Sequence, residues 1–399
     1  MRNLILFLLI LLPGAALPAQ AQLISGRVLD AQTSQPIPYA SVAVLGTSQG
    51  TTCNAEGEFT LKMSALPGRL VFSQLSYRRD TVAVVAAGAL PVVRLLPAPV
   101  ALPDVDLGSY VGGLLQKAYR EMQRTNARKH YGQAFYRQIA RLDGKPFEIK
   151  EMMWQVKASS AGLDGTALTQ ARYAKKKDAI LNYRNFSFFT RSFGLYSSKH
   201  DTTRAGLILG PNPTEYYNLK LIGLTQDGSQ NLAQIEFVGK PAHNPSHMQG
   251  LIVIDIDTYQ VLRFRASQDM QSNSNNPVWK FRDGRITYDL VFRPAAGGAV
   301  PAYYNLSYAV SMGRLMKPAV ALAVSGVTYF SDWQATPTAP AYTAAIWKES
   351  DLDAIKQKPY DAAFWRDNPV VKRTPLEEEV IRSFESEKAF GTMLSPQQK

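Results

Sequence analysis

The chain has 399 residues, enough for two or three domains, and 46% of them are hydrophobic, enough for substantial cores. The formal net charge is +12, and the excess is local: residues 108–240 carry twenty basic and ten acidic side chains. A single cysteine, Cys53, excludes an internal disulfide framework, and no apolar run after the first residues reaches the length of a membrane helix.

Residues 1–21 read as an export signal. Arg2 is the basic start, Leu4 to Leu12 is an apolar run too short to span a bilayer, and Ala19-Gln20-Ala21 is a small-x-small cleavage site. The mature chain is expected to begin near Gln22, with no cysteine beside it to take a lipid. The expected location is the periplasm or the outer membrane's surface. There a basic surface either meets phosphates of lipid headgroups or lipopolysaccharide, rather than nucleic acid, or serves only to keep the protein in solution with no dedicated partner.

Short β-rich segments then recur with turn signals between them, which predicts a sandwich over residues 22–96. Leu23 to Val28 is the first strand. In Ala40 to Leu45, Val42 and Val44 alternate with Ser41, Ala43 and Leu45. Asn54-Ala55-Glu56-Gly57 is a turn in which Asn54 can accept from nearby backbone N–H groups and Gly57 supplies a positive φ. Phe59 and Leu61, then Leu70–Phe72, Thr81–Val85 and Val92–Leu96 complete about seven strands. Cys53 fits as a small apolar side chain. Gly26-Arg27-Val28-Leu29-Asp30, Pro36-Ile37-Pro38-Tyr39-Ala40-Ser41-Val42 and Asn54-Ala55-Glu56-Gly57-Glu58-Phe59 together resemble the carboxypeptidase regulatory-like domain, frequent in envelope proteins of the Bacteroidetes type. That resemblance implies a transthyretin-like or immunoglobulin-like β-sandwich with a binding or structural role and no catalysis.

Residues 97–108 form a proline-rich linker, because Pro97, Pro99 and Pro103 block helix and central strand. Val111, Leu114, Leu115, Ala118, Tyr119 and Met122 follow at helical spacing. Such a helix can lie on a membrane or pack on a sheet, and its apolar stripe has the width of a core-facing helix.

A helix plus antiparallel sheet is expected over 109–346. Ala134–Ile139 alternates, Asp143-Gly144 signals a hairpin, and Phe147–Val156 returns with Glu151 and Trp154. Later strands are Asn231–Val238, Leu251–Asp255, Val261–Ala266, Gly284–Phe292, Ala302–Val310 and Gly326–Phe330. In Val261–Ala266 one face takes Leu262, Phe264 and Ala266 and the other takes Arg263 and Arg265. Phe186, Phe188, Phe189, Phe193 and Tyr196 are dense enough to serve either as an apolar ligand site or as core. Lys175, Lys176 and Lys177 form a basic run that suits a headgroup rim or a solvated loop. Phe135-Tyr136-Arg137, the later Glu151 and Phe364-Trp365-Arg366-Asp367 resemble uncharacterised Bacteroidetes envelope proteins. Gly250–Asp255 with the turn at Asp257-Thr258 is similar to hairpins of periplasmic lipoprotein carriers, which implies a half-barrel sheltering acyl chains.

Residues 347–399 form a C-terminal extension with a helix over 375–390. Thr374 is its expected cap, Pro375 its first residue and Glu377 its capping-box partner, with Leu376, Val380, Ile381 and Phe384 on one face. No metal, triad or phosphate-loop constellation appears. None of His130, His200, His243 and His247 has Glu three residues on, and Pro245 breaks the spacing of His243 and His247. Asp255 and Asp257 share a strand face, as hairpin-end carboxylates commonly do. No cofactor is expected. The chain therefore reads as mainly β, an exported envelope protein that binds or scaffolds and does not catalyse. The alternative is a periplasmic carrier or sensor of a lipid or other apolar ligand. The expected partner is an envelope protein, a lipid or a glycan, with peripheral membrane contact and no transmembrane span in the mature chain.

Overall fold

The computed structural model describes residues 22–47, 50–54, 56–63, 65–74, 77–98, 107–176, 184–196, 208–227, 230–243, 248–270, 279–295, 297–314, 317–367, 375–386 and 390. The signal segment, most of the linker and Lys177 lie outside them.

The first unit is a sandwich of two four-stranded sheets. Its strands are β1 (Gln22–Asp30), β2 (Ser41–Val44), β3 (Gly50–Thr52), β4 (Glu58–Met63), β5 (Gly68–Ser73), β6 (Asp80–Val84), β7 (Gly88–Ala89) and β8 (Val93–Leu95). One sheet pairs β1 with β4, β7 and β8; the other runs β3-β2-β5-β6. The sequence reading lacked β3 and β7, which at three and two residues are too short for period-two alternation to register. Inward residues of both sheets close one core around Ile24, Val28, Val42, Phe59, Leu70 and Phe72, with Cys53 among them. Burial pushes the Cys53 thiol well above its usual range, so it is inert. At the turn, Asn54 Oδ1 accepts from the backbone N–H of Glu56 at 3.0 Å and Glu58 at 2.8 Å. Gly57 has φ 74°, and a Cβ there would sit 2.4 Å from the Val28 carbonyl oxygen.

The second unit is a ten-stranded antiparallel sheet. Helix α1 (Leu107–Thr125) enters it. Strands β9 (His130–Leu142), β10 (Lys145–Ser159) and β11 (Gly162–Lys175) form a meander. After α2 (Ser187–Arg191) and α3 (Pro213–Tyr216) comes a longer meander: β12 (Tyr217–Asp227), β13 (Gln230–Gly239), β14 (Gln249–Asp255), β15 (Val261–Asp269), β16 (Trp279–Arg293), β17 (Val300–Arg314) and β18 (Lys317–Gln334). Pairing of β18 with β9 joins the two in the order β11-β10-β9-β18-β17-β16-β15-β14-β13-β12. Register shifts occur in most pairs of the sheet. Each one bends a strand and adds twist. Helices α4 (Asp351–Lys356), α5 (Ala362–Asp367) and α6 (Pro375–Ser386) end the chain.

Helices pack on both faces of the sheet. On the inner face Val111, Leu114, Leu115, Ala118 and Met122 of α1 join the main core, so the amphipathic stripe is spent on the sheet. Among the described residues no helix is long and apolar enough to cross a membrane. On the outer face, α6 packs Val380, Ile381 and Phe384 against Ile139, Ile149 and Ala174. Trp365 of α5 packs on Phe135 and Met153. The sandwich docks on the same face, with Tyr39 stacked on Tyr303 at 4.3 Å.

One transverse row crosses the outer face in register: Arg172, Glu151, Arg137, Val327, Asn305, Asp289, Arg265, Leu251, Glu236 and Lys220. Glu151 is shared by two arginines. Arg137 Nε donates to it at 2.6 Å and Arg172 Nε donates to its other oxygen. Helix α6 adds Glu377 at 3.2 Å from Arg137 and Glu385 at 3.4 Å from Arg172. The Arg172 guanidinium also lies over the rings of Trp365 and Phe390. Burial lowers the Arg137 pKa, but Glu151 and Glu377 outweigh it and the net shift is upward. The helix expected over 375–390 is described as α6 over Pro375–Ser386 and again at Phe390, and Glu377 in its first turn also meets Arg137. The expected cap, Thr374, is outside the described residues.

The sandwich core contains no residue of the large sheet, so a fragment of residues 22–100 is expected to melt cooperatively by calorimetry; a molten fragment would refute this boundary. In the same fragment Gly57→Ala combines a left-handed backbone with a backbone clash. It is expected to cost about 1–2 kcal/mol or more by urea unfolding.

Candidate functional site

The inner face of β9–β11 holds a polar network inside the apolar core. Alternation sends Tyr136 and Gln138 of β9, Glu148, Lys150, Met152 and Trp154 of β10 and Tyr173 of β11 to this side. All seven are buried. Tyr136 Oη donates to Gln138 Oε1 at 3.1 Å, and Gln138 Nε2 donates to Glu148 Oε1 at 3.3 Å. Lys150 Nζ lies 3.1 Å from the same oxygen, while Tyr173 Oη donates to Glu148 Oε2 at 3.3 Å. Burial raises the Glu148 pKa, opposed by Lys150 and the Tyr173 hydroxyl. Tyr173 is pushed up by burial and by the Glu148 carboxylate.

Asp351 comes to this network from the far end of the chain. Ser350 caps α4, accepting from the Asp353 N–H at 3.3 Å. That start turns the next residue, Asp351, inward. Ser187, the first residue of α2, donates to it twice: Oγ to Oδ1 at 2.5 Å and backbone N–H to Oδ2 at 3.2 Å. Burial raises the Asp351 pKa, and the Lys150 charge is the largest opposing influence. Both carboxyls are therefore held above their unfolded values. Their contribution to stability is fully present below pH ~4 and is lost as the pH rises through the folded values.

In front of this network a cleft of about 470 Å³ opens between β10, β11, α2 and α4. Met152, Trp154 and Leu168 supply apolar lining, and Arg191, Lys348, Glu349 and Asp353 supply charge, with Asp351 at the back. Arg191 is steadied by Nε donation to Thr166 Oγ1 at 3.0 Å. The size falls within the range of small-molecule sites.

The five aromatics of the sequence reading divide around this cleft. Phe186 is fully buried in the core, and Phe193 packs between Phe264 at 5.5 Å and Tyr288 at 5.2 Å. Tyr196 meets Tyr119 of α1 edge-on at 5.5 Å. Phe188 and Phe189 instead meet Trp347 at 5.0 and 5.8 Å. Lys175 ends β11, and the Lys176 N–H donates to the Phe147 carbonyl at 2.9 Å. The cations that line the cleft are Arg191 and Lys348. Of the remaining candidates, Asp255 closes its own hairpin, accepting from the N–H groups of Asp257 at 2.9 Å and Thr258 at 3.1 Å. Among the described residues no group of three His, Cys, Asp or Glu is placed to hold a metal. Sequence reasoning missed Glu148, Lys150 and Asp351. The available signal was two charges, Glu148 and Lys150, on the face that also carries Met152 and Trp154.

A second concavity of about 530 Å³ lies on the outer face, lined by Ile222, Val238 and Leu251 with Glu236, Arg265 and Asp289. It is open, and Asp289 is engaged with Arg263 at 2.7 and 2.8 Å.

Residues 24–98 match the CarboxypepD_reg-like domain family. No curated protein matches the chain. Solved structures similar to it include a LolA superfamily protein, NE2245, from Nitrosomonas europaea. It is 13% identical, with 57% of this chain and 94% of that one covered and a TM-score of 0.22. A DUF1329 family protein from Desulfovibrio piger is 10% identical, with 56% and 93% covered and a TM-score of 0.23. Lipovitellin is 10% identical, with 56% and 26% covered and a TM-score of 0.23. At such scores these likenesses carry no argument about this chain.

The buried pair makes a quantitative demand. Lys150→Met leaves Glu148 without its cation and is expected to cost about 3–5 kcal/mol in urea unfolding. Lys150→Met combined with Glu148→Gln is expected to recover most of that loss. A single variant as stable as the parent would show that the pair does not hold the three strands together.

Proposed function

We propose that the chain is an exported cell-envelope protein that acts by binding, with its ligand seated in the cleft between β10, β11, α2 and α4. One observation carries this reading. The cleft combines apolar lining from Met152, Trp154 and Leu168 with cations from Arg191 and Lys348, in front of a polar network already satisfied from within. That combination suits an amphiphile with an apolar body and an anionic head. The carboxypeptidase regulatory-like match at 24–98 and the leader-like residues 1–21 support an envelope location.

A scaffold role is the second reading, and the filled inner face favours it. Phe186, Phe193, Phe237 and Phe264 occupy the space where a half-barrel carrier would hold acyl chains. The two readings separate by lipid extraction of protein purified from native envelope, followed by mass spectrometry. The binding reading expects a stoichiometric amphiphile that is lost in Leu168→Arg while the variant still melts cooperatively, since Leu168 is partly exposed in the cleft. Absence of any bound molecule from the parent protein would leave the scaffold reading.

A further inference from the structure

Two large apolar side chains stand out at the cleft mouth. Ile346 is 51% exposed and its neighbour Trp347 is 61% exposed. They end the run Ala344-Ala345-Ile346-Trp347, between Thr343 and Lys348, and those two flanking residues line the cleft. Isolated exposed apolar residues are ordinary. This pair differs because the chain spends several contacts on holding it out.

Asn185 clamps the knob from behind. Its Nδ2 donates to the carbonyl of Ile346 at 3.2 Å and to that of Trp347 at 3.0 Å. The Glu349 N–H closes a turn onto the Ile346 carbonyl at 3.1 Å. Upstream, Thr343 exchanges backbone hydrogen bonds with Thr166 of β11 at 2.9 and 3.0 Å. The indole is propped edge-on by Phe188 and Phe189. Both backbone and ring are thus fixed before any encounter, which lowers the ordering cost of contact.

The charge around the knob has one sign in excess. Residues 184–191 and 346–358 hold Arg184, Arg191, Lys348, Lys356 and Lys358, against Glu349, Asp353 and the buried Asp351. We propose that Ile346 and Trp347 form a membrane anchor that sets the cleft mouth against an anionic lipid surface. Tryptophan is favoured at the headgroup level, and flanking cations add attraction to anionic lipids. A second copy of the chain fits less well. A projection of two side chains offers far less than the ~800 Å² per partner of a stable protein interface, whereas a bilayer takes up single side chains. The anchor stands whether or not the cleft holds a ligand.

The test uses the mature full-length chain and two kinds of vesicle, phosphatidylcholine alone and phosphatidylcholine mixed with phosphatidylglycerol. Co-sedimentation is expected with the mixed vesicles and to weaken with salt. Trp347→Ser and Ile346→Ser are each expected to reduce it by roughly tenfold, and Lys348→Glu to reduce it less. Ile346 lies outside the aromatic contacts, so its variant keeps the test valid if Trp347→Ser disturbs Phe188 and Phe189. No sedimentation of the parent protein would overturn the proposal. So would equal binding to both vesicle types, or variants that bind like the parent. A dimer abolished by Trp347→Ser, without vesicle binding, would assign the knob to a second copy.

Discussion

The pairing of β18 with β9 is the contact on which the rest of the large unit depends. It joins residues almost two hundred positions apart, such as Ser325 with Ile139, and turns two separate meanders into one sheet. Without it the three strands β9–β11 would be a small sheet with charges on both faces, cut off from the main core. With it, the inner face continues into the aromatic core of β13–β17, and the outer face continues into the row that ends at Lys220. Contacts this distant carry a high loop-closure cost. The local hairpins must therefore be good enough to wait for it, and Asp143-Gly144 at the β9–β10 turn supplies one, with both residues at positive φ.

Strand β10 shows how the register is protected. Its successive residues Glu148, Ile149, Lys150, Glu151, Met152 and Met153 are all buried, and they alternate between two different ionic networks. Glu148 and Lys150 neutralise each other on the inner face; Glu151 serves Arg137 and Arg172 on the outer one. A slip of one residue would exchange the faces. Glu151 would meet Gln138 and Tyr136, and Arg137 and Arg172 would lose the buried carboxylate that they share. Buried ion pairs add little net stability against apolar replacements, yet a broken one is expensive. Their effect here is to make the wrong register far worse than the right one.

The same double coverage explains what could and could not be read from the sequence. Alternation was legible wherever one face is apolar and the other polar, as in Val42 and Val44 or in Leu262, Phe264 and Ala266. The α1 stripe and the Asn54–Gly57 turn were legible for equally local reasons. Phe147–Val156 was recognisable as a strand from its turn signal. With both faces buried, however, nothing local says which charge goes where. Glu377 has the spacing of a capping-box residue, and nothing local shows that it also meets Arg137 on the outer face. Asp351 belongs to no periodic segment that the sequence reveals, and its meaning depends on Ser187, more than 160 positions away.

The last fifty residues, finally, are where architecture and site meet. Strand β11 is an edge of the sheet, and an uncovered edge invites pairing with another chain. Here the edge is met at one point and flanked on both sides: Thr343 bridges to Thr166, α4 then folds over the inner side, and α5 and α6 fold over the outer side. The segment is a clasp around one edge, fastened inside by Asp351 on Ser187 and outside by Trp365 over Arg172. A clasp that leaves the edge on one side and packs on the other cannot lie flush against the strand throughout. The gap it leaves on the inner side, bounded by Trp154, Leu168 and the start of α4, is the cleft. Its walls come from elements fixed by the two ionic networks, so the concavity has a defined shape even though no single local motif encodes it.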